Sequence, residues 1–255
     1  MAIIQFMRKI QIKEIGQTCL NTALDIIYPR NCVSCRRTMP SEEKGFLCSD
    51  CYSRLRLIEN YCEKCAAEVN QFANVSKGCQ LCRYERFAFS GAVAAVRYDG
   101  IARNILHSFK FGKEKVAGIP LSNLLIDALR GASFISKISL IVSVPLSKKH
   151  FHERGFNQAE FLAHRVAKAF ELPASYSNLI RIKETPPQAQ LQPEKRRVNV
   201  KSAFAVKRPA EFSNKTILII DDVMTTGSTI SECASTLKKA GASRIYAAVV
   251  ERLKV

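Results

Sequence analysis

Four Cys-x-x-Cys pairs crowd one short stretch of this chain: "CVSC" at 32–35, "CSDC" at 48–51, "CEKC" at 62–65 and "CQLC" at 79–82. Twelve, ten and thirteen residues separate successive pairs. A turn of this kind aims two thiolates at one ion, and two such turns about a dozen residues apart complete a tetrahedral sulfur site. No secretory leader precedes them, so structural zinc is the reading and a disulfide framework is not. The simplest pairing is sequential, with Cys32, Cys35, Cys48 and Cys51 on one zinc and Cys62, Cys65, Cys79 and Cys82 on another. A cross-braced pairing of first with third and second with fourth stays open. Either leaves no ligand position for water, so these sites hold structure and do no chemistry. Cys19 and Cys233 stand apart as small buried hydrophobes.

What the cysteine-rich segment serves is open between two roles. Arg36, Arg37, Arg54 and Arg56 would make it a docking or nucleic-acid surface, and the alternative is a structural cap on the second domain. A thiol redox switch is the third and least favoured reading.

The chain has 255 residues and a formal charge of +17. Two tetrathiolate zinc sites would bring that to about +13. The excess sits late, with 13 basic and 9 acidic residues up to position 90 against 26 and 13 beyond it. Such a field favours polyanions, either nucleic acid or phosphorylated metabolites. The first residues, "MAIIQFMRKIQ", break their apolar run at Arg8 and Lys9, and no run nears the roughly 18 residues of a membrane span. A cytoplasmic protein without a membrane span is expected, with an amphipathic helix over 1–28 that packs on the rest.

Past residue 88 the rhythm becomes α/β. Strands are expected at 91–98, 138–145, 216–221 and 244–251, and helices at 101–111, 116–131, 156–171 and from Thr226 to about 240. Short strands "LIRIK" and "SAFAV" flank a polar loop. Continuous apolar runs such as "ISLIVSVP" mark strands buried on both faces. The fold class is α/β with a mostly parallel sheet, ligands lying outside the strand carboxyl ends.

At one such end stands "TILIIDDVMTTGST" (216–229). Asp221 and Asp222 follow a buried strand, and Thr225, Thr226, Gly227, Ser228 and Thr229 open a helix. Unpaired N–H groups and hydroxyls there cradle a phosphate, and Gly227 lets backbone come close. Two carboxylates beside that cradle suit the vicinal diol of a ribose 5-phosphate.

This stretch resembles the signature of type I phosphoribosyltransferases, which bind 5-phosphoribosyl-1-pyrophosphate (PRPP). With the cysteine pairs in front, the chain resembles the ComF family of competence proteins over about residues 28–252. The resemblance implies a zinc ribbon module at 29–88 and a phosphoribosyltransferase-type domain at 89–255 with a mobile hood at 183–201. It implies that Ser147, Lys148 and Lys149 contact the pyrophosphate, with Arg154 of "RGFNQ" beside them, and that Thr185, Gln188, Arg196 and Asn199 belong to the hood. Asp221, Asp222, Arg154 and Lys148 would carry catalysis with Mg²⁺ on PRPP, the acceptor being undefined. Thr225 stands where purine-salvage relatives of the hypoxanthine–guanine type carry an Asp, which counts against that acceptor class. Two functions are in play: a PRPP-dependent glycosyltransferase, or a PRPP-gated factor binding single-stranded DNA. Lys110, Lys113, Lys195, Arg196 and Arg197 are the nucleic-acid candidates, and other competence proteins such as a helicase are implied partners.

Overall fold

The computed structural model describes residues 30–40, 42–75, 78–112, 114–183 and 200–253. The expected helix over 1–28 lies outside the described residues, as do Lys113, Thr185, Gln188, Lys195, Arg196, Arg197 and Asn199. Among the described residues no helix is long and apolar enough to cross a membrane.

Two zinc knuckles open the fold, and the second repeats the first thirty residues on. Asn31 bridges Thr38 and Tyr61 bridges Glu68 in matching antiparallel pairs. The Cys32 N–H donates to the Arg37 carbonyl (2.9 Å), as the Cys62 N–H does to that of Ala67 (2.8 Å). Arg36 and Ala66 both take left-handed backbone, with φ of 64° and 56°. Each ribbon then closes with a short helix, α1 (Ser49–Ser53) and α2 (Gln80–Tyr84).

The larger domain runs β1 (Gly91–Arg97), α3 (Gly100–Phe111), α4 (Gly118–Arg130), β2 (Leu140–Ser143), α5 (Lys148–Arg154), α6 (Gln158–Phe170), β3 (Ala174–Ser175), β4 (Leu179–Arg181), β5 (Phe204–Val206), β6 (Thr216–Met224), α7 (Ser228–Lys239) and β7 (Arg244–Arg252). Five strands form one sheet in the order β1-β7-β6-β2-β3, every pair parallel. The connection from β2 leads outward to β3 and that from β6 to β7 on the other side. The topological switch, where α/β sheets bind ligands, therefore lies between the carboxyl ends of β2 and β6. Even-numbered residues Leu218 and Ile220 pack under α4 and α6, while Ile217 and Ile219 pack under α7. That is the two-residue period of a strand covered on both faces. The separate antiparallel pair β4–β5 ends at Arg181 and resumes at Phe204, framing the expected hood.

Two elements depart from the expectation. The basic stretch after β2 is a helix, α5, because Ser147 caps it by accepting from the His150 N–H (3.3 Å) and Gly155 (φ 79°) ends it. Strand β6 runs on to Met224, so the acid pair lies inside paired strand: Asp221 is opposite Val249, Val223 opposite Glu251 and Met224 opposite Arg252.

The zinc module is a cap on this sheet. Cys32, Val33, Met39, Leu47, Cys48 and Cys51 share one buried cluster with β1, α3 and α4. Arg36 grips Glu114 with one nitrogen (2.7 and 2.8 Å) and Ser108 with another (2.9 Å). The outer edge of β1 is covered by residues 56–63, through Arg97 N–H to the Arg56 carbonyl, Ile58 N–H to Ala95 and Ala92 N–H to Glu63. Three of the four arginines offered as a nucleic-acid surface are in ion pairs, Arg36 with Glu114, Arg54 with Asp50 and Arg56 with Asp99.

Candidate functional site and zinc centres

Both cysteine sets come together in the sequential pairing, the four Sγ atoms of each within 4.8 Å of one another. Cys35 lies 3.9 Å from Cys48, Cys62 3.8 Å from Cys82 and Cys65 3.5 Å from Cys79. Zinc–sulfur bonds of about 2.3 Å set a tetrahedral edge of about 3.8 Å, so both cages fit zinc. Cross-braced pairing is thereby excluded. Burial resists ionisation of Cys32, but N–H groups of Cys48, Cys35 and Ser34 outweigh it and bring the thiol down to about 7.

At the switch point, β6 delivers Asp221 and Asp222, and the turn 225–227 delivers the amino end of α7. Gly227 is left-handed (φ 79°), and a Cβ there would stand 2.9 Å from the Phe87 ring. Glycine is required twice, by conformation and by the approach of Phe87. Thr226 Oγ1 and Ser228 Oγ lie 2.8 Å apart, and the Ser228 N–H reaches Thr226 Oγ1 at 3.4 Å. Asp221, Thr225, Gly227, Ser228 and Thr229 line one small pocket.

Asp222 forms an ion pair with Lys110 of α3 at 3.0 Å, and both side chains are largely buried. Lys110 therefore points at the strand end, away from any open nucleic-acid surface. Its neighbour Phe109 is fully buried, while Phe111 is exposed and lies under the Arg154 guanidinium. Arg154 also donates to Gln158 Oε1 (3.1 Å) and is close enough to Asp221 to act on its charge. Ser147 is buried as the α5 cap, with Lys148 and Lys149 exposed on the first turn.

Burial, then the charge of Asp222, pushes Asp221 up to about 7, against Lys110 and Arg154. Glu251 joins the site although no sequence motif marks it. It is fully buried, neither carboxylate oxygen has a hydrogen-bond partner among the described residues, and burial pushes it up to about 8. Lys110, Asp222 and Asp99 are the charges it feels. The charged pair at the end of "VVER" is visible in the sequence, but only the β6–β7 register shows that it stands beside the aspartates.

These two acids have folded-state values above their ordinary ones. The folded chain thus holds protons the unfolded chain has lost, and their contribution falls as pH rises from about 4.5 through about 8. We expect Glu251→Gln to flatten the decline in melting temperature between pH 6.5 and 9. An unchanged slope would show that Glu251 is already ionised and solvated.

Comparison with known proteins finds two domain families along the chain. The double zinc ribbon domain matches residues 23–83 and the phosphoribosyl transferase domain residues 157–252. Competence protein F of Haemophilus influenzae is 29% identical over 218 residues, covering 84% of this chain and 93% of its own. DNA utilization protein YhgH of Salmonella typhimurium is 28% identical over 223 residues, 86% of this chain and 96% of its own. Competence protein ComFC of Streptococcus pneumoniae is 27% identical over 226 residues, 84% and 96% respectively. The chain is a double zinc ribbon joined to a phosphoribosyl transferase domain, homologous over most of its length to the competence protein F, ComFC and YhgH proteins.

Proposed function

We propose that this protein binds PRPP in the crevice between β2 and β6, binds single-stranded DNA, and acts in competence as a phosphoribosyltransferase. The observation that carries it is the juxtaposition, at one switch point, of the hydroxyl-rich loop 225–229 and the Asp221–Asp222 pair. The loop's N–H groups and hydroxyls take the 5′-phosphate, and the acids take the ribose hydroxyls. Ser147, Lys148, Lys149 and Arg154 stand on the β2 side, where the pyrophosphate end would lie. Mg²⁺ bound with PRPP would neutralise charge between pyrophosphate and ribose oxygens. As the C1–pyrophosphate bond loosens, the acids stabilise the positive ribose and the basic groups stabilise the leaving pyrophosphate. The names of the relatives, competence and DNA utilization, support the DNA role.

Ionised acids accept the diol, so PRPP affinity should rise as pH climbs through about 7, where Asp221 gives up its proton. Stability moves the other way over the same range. Titration at pH 6, 7 and 8 checks this, and an affinity that falls with pH would remove Asp221 from the ribose.

The deciding experiment is pyrophosphate release from PRPP with Mg²⁺, with and without single-stranded DNA, with Asp222→Ala as control. Release stimulated by DNA and lost in the variant supports transfer. Binding without release establishes the second reading, a PRPP-gated DNA-binding protein. Absence of PRPP binding overturns both. DNA binding itself should weaken steeply with salt.

A further inference from the structure

The second zinc ribbon reaches the phosphate loop through one side chain. Arg252, at the end of β7, is 2% exposed. Its Nε donates to the carbonyl of Cys65, a second-site cysteine, at 3.3 Å. Its Nη1 donates to the carbonyl of Met224 (2.9 Å) and to that of Thr225. One buried guanidinium thus joins a zinc knuckle to the two peptides that lead into the loop. The exit of the same ribbon adds two contacts: Phe87 fills the space above Gly227, and the Ala88 N–H donates to Ser231 Oγ at 3.0 Å. The first ribbon grips a different place, Ser108 in α3 and Glu114 just beyond it.

The planar trans peptide gives this link its consequence. In each peptide unit the C=O and N–H point in opposite directions. The Met224 carbonyl, which also accepts from the Leu253 N–H (3.1 Å), fixes the direction of the Thr225 N–H, and the Thr225 carbonyl, held by Arg252, fixes that of Thr226. Those N–H groups are donors of the loop that takes the anion. The Cys65 carbonyl is held in turn by the knuckle, whose shape depends on the metal at its sulfurs. A buried guanidinium that loses one acceptor is costly to leave in place, so it reorients and frees the Thr225 carbonyl, while Met224 keeps its bond from the Leu253 N–H.

We propose that Arg252 is a positioning residue that makes the anion affinity of loop 225–229 depend on metal in the Cys62–Cys65–Cys79–Cys82 site and not on metal in the first site. The proposal rests on the reading of that loop as a phosphate cradle, so its test includes a measurement made without ligand. In the full-length, zinc-loaded protein, amide hydrogen exchange is followed over residues 225–231, alongside zinc content and PRPP–Mg²⁺ titration. Arg252→Lys keeps the charge and loses the three-way fork. It should keep two zinc ions, exchange the loop amides about tenfold faster and bind PRPP about tenfold more weakly, the loss of one charge-assisted hydrogen bond. Exchange in β2 and α4 should stay as in the wild type, and Arg36→Lys should leave the loop untouched.

Unchanged loop exchange in Arg252→Lys overturns the proposal, and so does faster exchange spread evenly over the sheet. Should that variant not fold, Cys82→Ser, which weakens the second site, is compared with Cys35→Ser, which weakens the first. Loosening of the loop in the former alone supports the link, and equal loosening in both overturns it. If the exchange result holds while the wild type fails to bind PRPP, the coupling stands and the ligand assignment falls.

Discussion

Stripping zinc is expected to lower the melting temperature by more than about 10 °C, because the metal supplies folding free energy that no separate core replaces. Structural zinc contributes on the order of 10 kcal/mol per site, comparable to the whole stability of a typical domain. The first ribbon cannot unfold alone at small cost: Cys32, Val33, Met39, Leu47, Cys48 and Cys51 belong to the same cluster as Val93, Ile105, Leu121 and Leu125. Losing them exposes the flank of β1 and α3. Native mass spectrometry should count two zinc ions per chain, and graded chelation followed by circular dichroism should show the melt fall as zinc leaves. A transition that persists unchanged after complete zinc loss would mean that the cysteines are ordinary buried side chains.

The second large effect is at Asp222. Asp222→Asn should weaken PRPP binding about 100-fold, by removing charge-assisted bonds to the diol. Its effect on stability is less simple. Breaking a buried ion pair usually costs about 3–5 kcal/mol, since the surviving charge is stranded. Here Lys110 has another carboxyl within its field, Glu251, which burial holds largely neutral below about pH 8. In Asp222→Asn, Glu251 loses a repelling neighbour and can ionise against Lys110. We therefore expect a loss of stability smaller than that usual range, restored to the full value in the double variant Asp222→Asn/Glu251→Gln. Chemical denaturation of the two proteins separates the cases, and equal losses would exclude the compensation. Lys110→Met should be worse for the fold than Asp222→Asn, because it removes the cation paired with Asp222 and felt by Glu251 and leaves only Arg154 acting on Asp221.

How much of the molecule is legible in its sequence depends on the range of the interactions. Zinc ligation is local in sequence, so spacing alone locates the knuckles, though choosing sequential over cross-braced pairing needs coordinates. The strands show as apolar runs, and the acid pair with its hydroxyl loop stands out at the end of one. What stays hidden depends on register and on helical phase. Lys110 reads as a cation for nucleic acid, yet successive helical residues point about 100° apart, which sends Phe109 into the core, Lys110 to Asp222 and Phe111 outward. "KKHFHER" has no apolar period and so does not look like a helix, which leaves its cap, Ser147, looking only like a ligand contact. Glu251 and Arg252 acquire meaning only because β7 lies beside β6. The capping role of the ribbons rests on pairings such as Arg36 with Glu114, 78 residues apart.

The pairing of β1 with β7 also fixes when this protein can finish folding. The domain's first strand is joined to its last, so the sheet stays incomplete until β7, begun at Arg244, has left the ribosome. Throughout that interval β1 is an apolar strand with one side unpaired, the condition that invites pairing between chains. Residues 56–63, made earlier and held between two metal-locked knuckles, already occupy its other side. A ribbon formed first would shield that side of β1 in cis while synthesis proceeds. Zinc supply during translation would then govern yield of soluble protein well before it governs the stability of the finished molecule.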